Sequence, residues 1–176
     1  LTFWVDSGGK KYISRSPNHD RSVSSSNLEE ELYWNGFMGR GGRFHYRNNA
    51  EQIAFVQLAK SRRLSVVPIL GEWKGELVVP WIEGQDVRML LNRDDVSVKT
   101  MMHVVSSTLS DMRRARHPHH RTVYGDRWAK NIHYGEDARV RQLDFDIEIT
   151  GPQDCEFEMA QVIYSVIRDA RHIDKM

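Results

Sequence analysis

Three oxygen-bearing side chains, Asp126, Asn131 and Asp144, follow one another at spacings that suit phosphoryl transfer from a nucleotide. An aspartate placed like Asp126 can accept the proton of an attacking hydroxyl, or orient that hydroxyl. Asn131 and Asp144 offer hard oxygen ligands, which Mg²⁺ prefers. The pattern therefore predicts a catalytic carboxylate followed by a magnesium site.

Two short apolar segments separate these side chains. Residues 132–134 and 140–143 have the composition of β-strands, and the turn-like Gly135–Asp137 joins them. We expect this hairpin to hold Asn131 and Asp144 at neighbouring strand ends.

Residues 124–131 and 143–146 together resemble two motifs of aminoglycoside-phosphotransferase-like kinases, within the protein-kinase-like superfamily. The first resembles the catalytic loop and the second the metal-binding loop. The resemblance implies that Asp126 is the catalytic base and that Asn131 and Asp144 bind Mg²⁺. Tyr124 stands where the family usually has histidine, and its hydroxyl could replace that side chain as a scaffold of the loop. The alternative is a polar surface loop whose acids cap a turn.

The resemblance also implies an α+β, two-lobed protein-kinase-like fold. Residues 1–84 would form a small antiparallel-sheet lobe with a hinge, and residues 85–176 a reduced, mainly helical lobe with the catalytic and metal loops. We expect a minimal version, truncated at both ends, with no room for the glycine-rich strand or for the usual acceptor subdomain.

A β-hairpin is predicted at the start of the chain, from Thr2–Val5 and Lys11–Arg15. By position, Arg15 corresponds to the strand-borne lysine that contacts the nucleotide phosphates in the family. Lys10 and Lys11 are alternatives, and all three could instead be solvated charges at a strand edge.

A capping box at Asn48–Glu51 predicts a helix that continues towards Arg63. The resemblance implies that Glu51 pairs with the phosphate-binding cation, but a capping role competes with that assignment. We expect a strand at residues 64–70 after this helix.

A turn is predicted at residues 70–75, followed by a strand and linker at residues 76–84 that resemble the hinge. Val79 and Trp81 would then border the adenine, although Trp81 could equally be a core aromatic residue.

The central helix is predicted from apolar residues on one face, with Asp94 and Asp95 at its start and arginines at its end. The apolar residues are Val98, Met101, Met102, Val105, Leu109 and Met112. A last amphipathic helix is predicted around residues 157–167, where the resemblance assigns Glu158 to fixing the backbone of the catalytic loop.

Other segments carry weaker signals. Residues 16–26 read as a polar loop, and residues 27–30 as a further capping box. Arg40 and Arg43 could contact phosphate. His117, His119 and His120 could belong to a metal-dependent hydrolase if they converged with the acids of residues 126–146.

The composition is that of an ordinary soluble protein and excludes few functional classes. The 25 Lys and Arg residues nearly balance 24 Asp and Glu residues, so the net charge of +1 gives no support for a nucleic-acid or membrane-surface role. The single cysteine, Cys155, excludes an internal disulfide and suits a cytoplasmic location. We therefore expect a phosphotransferase that uses ATP and Mg²⁺ to phosphorylate a hydroxyl of a small molecule or a protein. The alternative is a pseudokinase that binds nucleotide without transfer.

Overall fold

The computed structural model describes residues 2–6, 8–15, 34–116 and 121–170, which form helices and antiparallel strands. The strands are β1 (Thr2–Val5), β2 (Lys11–Arg15), β3 (Arg43–Tyr46), β4 (Gly71–Trp73), β5 (Glu76–Pro80), β6 (Gly84–Asp86), β7 (Ile132–Gly135), β8 (Val140–Gln142) and β9 (Ile147–Thr150). The helices are α1 (Asn49–Ser61), α2 (Val87–Leu91), α3 (Val98–Ala115) and α4 (Asp154–Asp169), with a 3₁₀ turn at Ala129–Asn131. Residues 34–38 are also helical.

The largest sheet has the strand order β1-β2-β5-β4, and its neighbouring strands are antiparallel. The predicted hairpin of β1 and β2 is confirmed. Asp6 shapes its turn, because Asp6 Oδ1 accepts hydrogen bonds from the N–H groups of Gly8 (2.8 Å) and Lys10 (2.9 Å). Gly9 follows with a φ of 78°, which glycine adopts readily.

The turn predicted at residues 70–75 is mostly wrong, because residues 71–73 form β4. Trp73 pairs with Glu76, so the loop between β4 and β5 contains only Lys74 and Gly75. Their φ angles are 50° and 80°. Positive φ at both positions is typical of the two-residue turn whose twist suits a hairpin.

The capping box that begins α1 is confirmed. The Asn48 side chain accepts from the Glu51 N–H (3.0 Å), and the Glu51 carboxylate accepts from the Asn48 N–H (2.8 Å). The strand predicted at residues 64–70 is wrong: only Val66 bridges to a neighbour, Gln142 of β8. Pro68 has no N–H to extend that pairing.

The apolar face predicted for α3 is largely exposed, so this prediction is wrong. Exposed fractions are 80% for Val98, 64% for Met102, 55% for Leu109 and 48% for Val105. The buried residues are Val104, Thr108, Asp111, Met112 and Ala115. The polar side of the helix can be buried because Asp111 accepts hydrogen bonds from the Ser65 N–H (2.7 Å) and the Tyr124 hydroxyl (2.8 Å).

The start of α3 also differs from the prediction. Ser97 is the N-cap, and its hydroxyl accepts from the Thr100 N–H at 3.1 Å. The first turn contains no acid, and Asp95 instead pairs with Arg93 Nε at 2.8 Å. Arginines do occupy the last turn, as expected from the helix dipole.

Two smaller sheets adjoin residues 124–131 and 143–146, called below the catalytic loop and the metal loop after the motifs that they resemble. The predicted hairpin of β7 and β8 is confirmed, and β6 pairs with β7 on its other side. The segment after the metal loop forms β9, which pairs with β3. The last helix is present as α4.

One core cluster holds both functional loops in place. Phe55 of α1 has its ring centroid 5.6 Å from that of Tyr124 in the catalytic loop, and 5.5 Å from that of Phe145 in the metal loop. Packing of α1 therefore fixes the two loops relative to each other.

No helix in the described part of the chain is both long enough and apolar enough to span a bilayer. The loop predicted at residues 16–26, the capping box at residues 27–30 and the histidines at 117, 119 and 120 lie outside the described residues.

Candidate active site

The backbone of the catalytic loop is held by a buried carboxylate from α4. Glu158 Oε1 accepts hydrogen bonds from the N–H groups of Tyr124 (2.6 Å) and Gly125 (3.2 Å). This contact confirms the role predicted for Glu158. The Tyr124 hydroxyl donates to Asp111 Oδ2, so tyrosine does anchor the loop through its hydroxyl.

Gly125 lets the catalytic loop approach β9 closely. Its φ is 96°, and a Cβ atom there would collide with the carbonyl oxygen of Ile147. Both observations require glycine at this position.

Arg127 lies behind the catalytic loop, with only 1% of its surface exposed. Its Nη1 is 3.2 Å from Asp111 Oδ2 and its Nε is 3.5 Å from Glu158 Oε2. Its guanidinium also stacks 3.8 Å from the centre of the Tyr124 ring. Burial acts to lower the pKa of Arg127, but the charges of Glu158 and Asp111 outweigh it and raise that pKa. Arg127 is therefore a charged part of the scaffold.

A second buried arginine, Arg47, joins the catalytic loop to the metal loop. Its Nη1 donates to three backbone carbonyls, those of Tyr124 (3.2 Å), Phe145 (3.1 Å) and Ile147 (2.6 Å). Its guanidinium stacks on Phe55 at 4.1 Å. These hydrogen bonds tie the backbones of the two loops to each other and to the start of β9.

Three carboxylates meet on the opposite side of the catalytic loop. Asp126, Asp144 and Asp146 each offer an oxygen, and these oxygens lie within 4.8 Å of one another. Asp126 and Asp146 are buried, whereas Asp144 is partly exposed. Such a set of hard oxygen ligands fits Mg²⁺, because a divalent cation would relieve the mutual repulsion of the carboxylates.

Burial is the main cause that raises the pKa of Asp126, to about 7, and the charges of Asp144 and Asp146 raise it further. Lys130 and the hydrogen bond from Asn131 act in the opposite direction. A carboxyl that titrates near neutral pH is well matched to accepting a proton from a hydroxyl.

Asn131 contacts Asp126 directly. Its Nδ2 donates to Asp126 Oδ2 at 2.8 Å and to the Asp126 carbonyl at 3.0 Å. The atom of Asn131 that could bind a cation is Oδ1, because the amide nitrogen is a donor only.

Arg15 reaches the metal loop. Its Nη2 lies 2.8 Å from Asp144 Oδ1 and donates to Gln52 Oε1 at 2.9 Å. On α1, Arg15 therefore contacts Gln52. The residue predicted to make this contact was Glu51, one position earlier in the helix. The Glu51 carboxylate instead caps α1. Its assignment to the nucleotide site therefore stays a prediction.

An apolar cavity of about 350 Å³ opens beside Arg15 and Asp144. Val79 and Trp81 line it, together with Ile13, Val67, Ile69, Met89 and Leu143. Trp81 is 38% exposed, so it is not a core residue. The size and the apolar lining suit a flat heterocycle.

The predicted site residues thus fall into three groups. Arg15, Val79, Trp81 and Asp144 line one cavity. Asp126 and Asn131 adjoin it through the acid cluster. Glu51 is at a helix cap, and the cavity lining includes neither Arg40 nor Arg43.

Sequence reasoning missed several residues of the site: Asp146, Gln52, Asp111, Arg127 and Arg47. Asp146 could have been found, since it closes the same short motif as Asp144. The other four contact residues far away in the chain, and the sequence offers no local signal for those contacts.

Comparison with protein-family models found no match, and comparison with curated proteins found none either. Comparison with solved structures found a Rio2 kinase from Chaetomium thermophilum, solved as a complex with ADP, Mg²⁺ and phosphoaspartate. The TM-score is 0.57 at 13% sequence identity, over 99% of this chain and 52% of that one. This chain spans about half the length of that neighbour. The likeness shows a protein-kinase-like fold.

Proposed function

We propose that this protein binds an adenine nucleotide with Mg²⁺ and transfers the γ-phosphoryl group to a hydroxyl of a small molecule or a protein. The observation that carries the proposal is the meeting of Asp126, Asp144 and Asp146 beside an apolar cavity in a protein-kinase-like fold. In this arrangement residues 1–84 would act as the nucleotide-covering lobe and residues 85–176 as the lobe with the reacting groups.

Each residue has a distinct task in the proposed reaction. Val79 and Trp81 border the adenine, and Arg15 offers its cation to the phosphates. Asp144 and Asp146, with Asn131 Oδ1, would hold Mg²⁺, which supplies charge neutralisation at the phosphates.

Asp126 would take the proton of the attacking hydroxyl. Because its pKa is about 7, Asp126 is partly deprotonated at neutral pH and its carboxylate is still basic enough to accept a proton. Its hydrogen bond from Asn131 holds one carboxylate oxygen, which leaves the other to face the acceptor. Positioning and charge neutralisation supply most of the catalysis in such transfers.

A pseudokinase remains the alternative, and the contacts of Arg15 favour it. The cation is an arginine in place of the usual lysine, and its contact on α1 is the neutral Gln52 rather than a carboxylate. Arginine presents a planar fork rather than a point charge, which alters how phosphates are held.

Thermal unfolding with ATP, GTP and their Mg²⁺ complexes tests binding. A nucleotide at 100 times its Kd should add about 2.7 kcal/mol to the free energy of unfolding. Asp144→Asn should remove most of this gain, whereas Asp95→Asn, at an exposed acid that does not line the cavity, should keep it. No gain with any nucleotide would contradict both the kinase and the pseudokinase.

Transfer is tested with γ-labelled ATP, using water, the protein itself and a panel of hydroxyl metabolites as acceptors. Because the Rio2 structure contains a phosphoaspartate, labelled protein should also be treated with hydroxylamine, which cleaves acyl phosphates. Loss of the label would identify a carboxylate as acceptor in place of a hydroxyl. Nucleotide binding without transfer in any of these assays would establish the pseudokinase.

A further inference from the structure

A second cleft, about 690 Å³ in volume, lies between the C-terminal end of α1, α3 and β8. Five cationic residues line it: Lys60, Arg63, Arg114, Arg139 and Arg141. Among the described residues that line it there is no aspartate or glutamate. We call it the basic cleft.

The basic cleft is separate from the apolar cavity beside Arg15 and Asp144, called here the nucleotide cavity. Val66 lines the basic cleft and Val67 lines the nucleotide cavity, so the two spaces lie on opposite sides of one backbone segment. That segment is fixed on β8, because the Val67 N–H donates to the Gln142 carbonyl at 3.0 Å. A ligand in the basic cleft would not occupy the nucleotide site.

The positive charge of the basic cleft is only partly balanced. Arg141 Nη1 lies 2.9 Å from Asp137 Oδ1, and Arg139 Nε lies 3.9 Å from Oδ2 of the same carboxylate. Arg114 Nη2 lies 3.2 Å from Asp111 Oδ1. Asp111 also pairs with Arg127, so its charge is shared. Lys60 and Arg63 have no ion pair in the part of the chain that the structure describes. The C-terminal end of α1 offsets only about half a charge.

Arg63 is unusual for its place in the backbone. It follows the C-cap of α1 with a φ of 57°, where glycine or asparagine is the common residue. A side chain other than glycine is strained in this conformation. Arg63 lines the basic cleft, so this strained position places a cation there.

Hydroxyl groups complete the lining. Ser106, Ser107 and Ser110 lie along α3, although serine is a weaker helix former than alanine or leucine. The opposite wall is fixed, because a ring nitrogen of His103 hydrogen-bonds the carbonyl of Ala138 in the β7–β8 turn at 2.9 Å. The basic cleft therefore combines arginine forks with hydroxyl groups in a pre-formed space, which is the chemistry that binds phosphate.

We infer that the basic cleft binds a compact anion with two or more phosphate groups. Its volume is within the range of small-molecule sites, about 300–1,000 Å³. The net charge of +1 shows no overall excess of basic residues of the kind expected in a protein that tracks a nucleic-acid backbone. The inference does not depend on phosphotransfer at the other site.

The test is calorimetric titration with inorganic tripolyphosphate, pyrophosphate and phosphate at fixed ionic strength. EDTA is present throughout, so that metal-dependent binding at the acid cluster is suppressed. The cleft variant is Lys60→Ala/Arg63→Gly/Arg139→Ser. It should fold, because glycine suits the φ of residue 63 and the Arg139 side chain is 77% exposed.

A matched control removes the same charges elsewhere, as Lys99→Ala/Lys74→Gly/Arg113→Ser. Lys74 also has a positive φ, of 50°, so the glycine substitution is comparable. We expect tripolyphosphate to bind most tightly of the three anions. The cleft variant should weaken it at least about 10-fold and the control less than about 2-fold.

Equal weakening in both variants, or no binding of any anion to the wild-type protein, would overturn the inference. So would binding of a short RNA oligonucleotide that the cleft variant abolishes but tripolyphosphate does not displace. Vesicles with and without a bisphosphorylated inositol lipid distinguish a lipid head group from a soluble anion as the source of the phosphate groups. Binding to the lipid-containing vesicles would assign a head group, and binding of the soluble anion alone a free ligand.

Discussion

The two sides of the catalytic loop carry opposite electrostatic arrangements. Behind the loop, Arg127 lies between the carboxylates of Asp111 and Glu158, and all three side chains are buried. In front of it, Asp126 meets two further carboxylates, one of which, Asp144, pairs with Arg15. We call these the rear network and the front cluster.

The pKa values of the two sides express this difference. Burial raises the pKa of Asp126 to about 7, and its acidic neighbours add to that rise. In the rear network, neighbouring charges overcome burial and keep Arg127 ionised. A buried charge with a counter-charge suits a scaffold, whereas crowded carboxylates suit a site that binds a cation.

The largest effect is expected from Arg127→Met in the rear network. The substitution leaves Asp111 and Glu158 buried without their counter-charge, which typically costs about 3–5 kcal/mol. We expect a loss of this size in the free energy of unfolding, measured by urea denaturation.

The double variant Arg127→Met/Asp111→Asn sharpens this test. Removing one of the two carboxylates should recover part of the loss. If the double variant were less stable by the full sum of the single changes, the three side chains would not form a coupled network.

Asp126→Asn in the front cluster should act in the opposite direction and stabilise the metal-free protein. The pKa of Asp126 is about 7 in the folded protein, against an ordinary value of 3.8 for an aspartate in the unfolded chain. The folded protein therefore binds the extra proton between these values, and wild-type stability falls as pH rises from about 4 to 7. The variant lacks this loss, so its advantage should grow to about 2–4 kcal/mol above pH 7.

Thermal unfolding from pH 4 to 8 in EDTA measures this difference. Asp95→Asn, at an exposed acid whose pKa is lowered by its hydrogen bond with Arg93, serves as the control. Its stability relative to the wild type should be constant above about pH 5. An Asp126→Asn variant that is less stable than the wild type at pH 8 would show that the front cluster is balanced like the rear network.

Local signals predicted much of the fold. The hairpin of β1 and β2, the capping box of α1 and the hairpin of β7 and β8 all follow from turn residues and short-range patterns. The face of α3 could not be predicted in the same way. Its spacing allowed an apolar stripe at Val98, Met102 and Leu109, but the helix buries Asp111 because distant groups satisfy that carboxylate.

The residues of the candidate site show the same contrast between local motifs and long-range contacts. Asp126, Asn131 and Asp144 belong to compact motifs, so the sequence predicted them as a group. The contact of Arg15 depends on the helical rotation of α1, which decides between Glu51 and Gln52 and is not fixed by a capping box alone. The rear network joins residues from α3, the catalytic loop and α4, and only the folded chain brings them together.

Arg15→Ala tests the cation of the front cluster. If Arg15 contacts the phosphates, the variant should weaken ATP binding by roughly 10- to 150-fold, equivalent to about 1.5–3 kcal/mol, and leave adenosine binding unchanged. Arg15→Lys should recover part of the affinity, because the charge returns without the planar fork. Lys10→Ala is the control in the same hairpin. Equal, small effects at both positions would assign the phosphates to another cation.

The smallest effect is expected from Tyr124→Phe, which removes one hydrogen bond from the rear network. The ring stays in its core cluster and Asp111 keeps Arg127, so the loss should be about 0.5–1.5 kcal/mol. It should be constant from pH 6 to 9, since burial raises the pKa of Tyr124 well above its ordinary value. Urea denaturation at several pH values measures it. Tyr124→His, the residue usual in the resembling kinases, should restore part of the loss if a polar atom facing Asp111 is what this position requires. A histidine variant less stable than the phenylalanine variant would mean that ring packing, and not the hydroxyl, anchors the catalytic loop here.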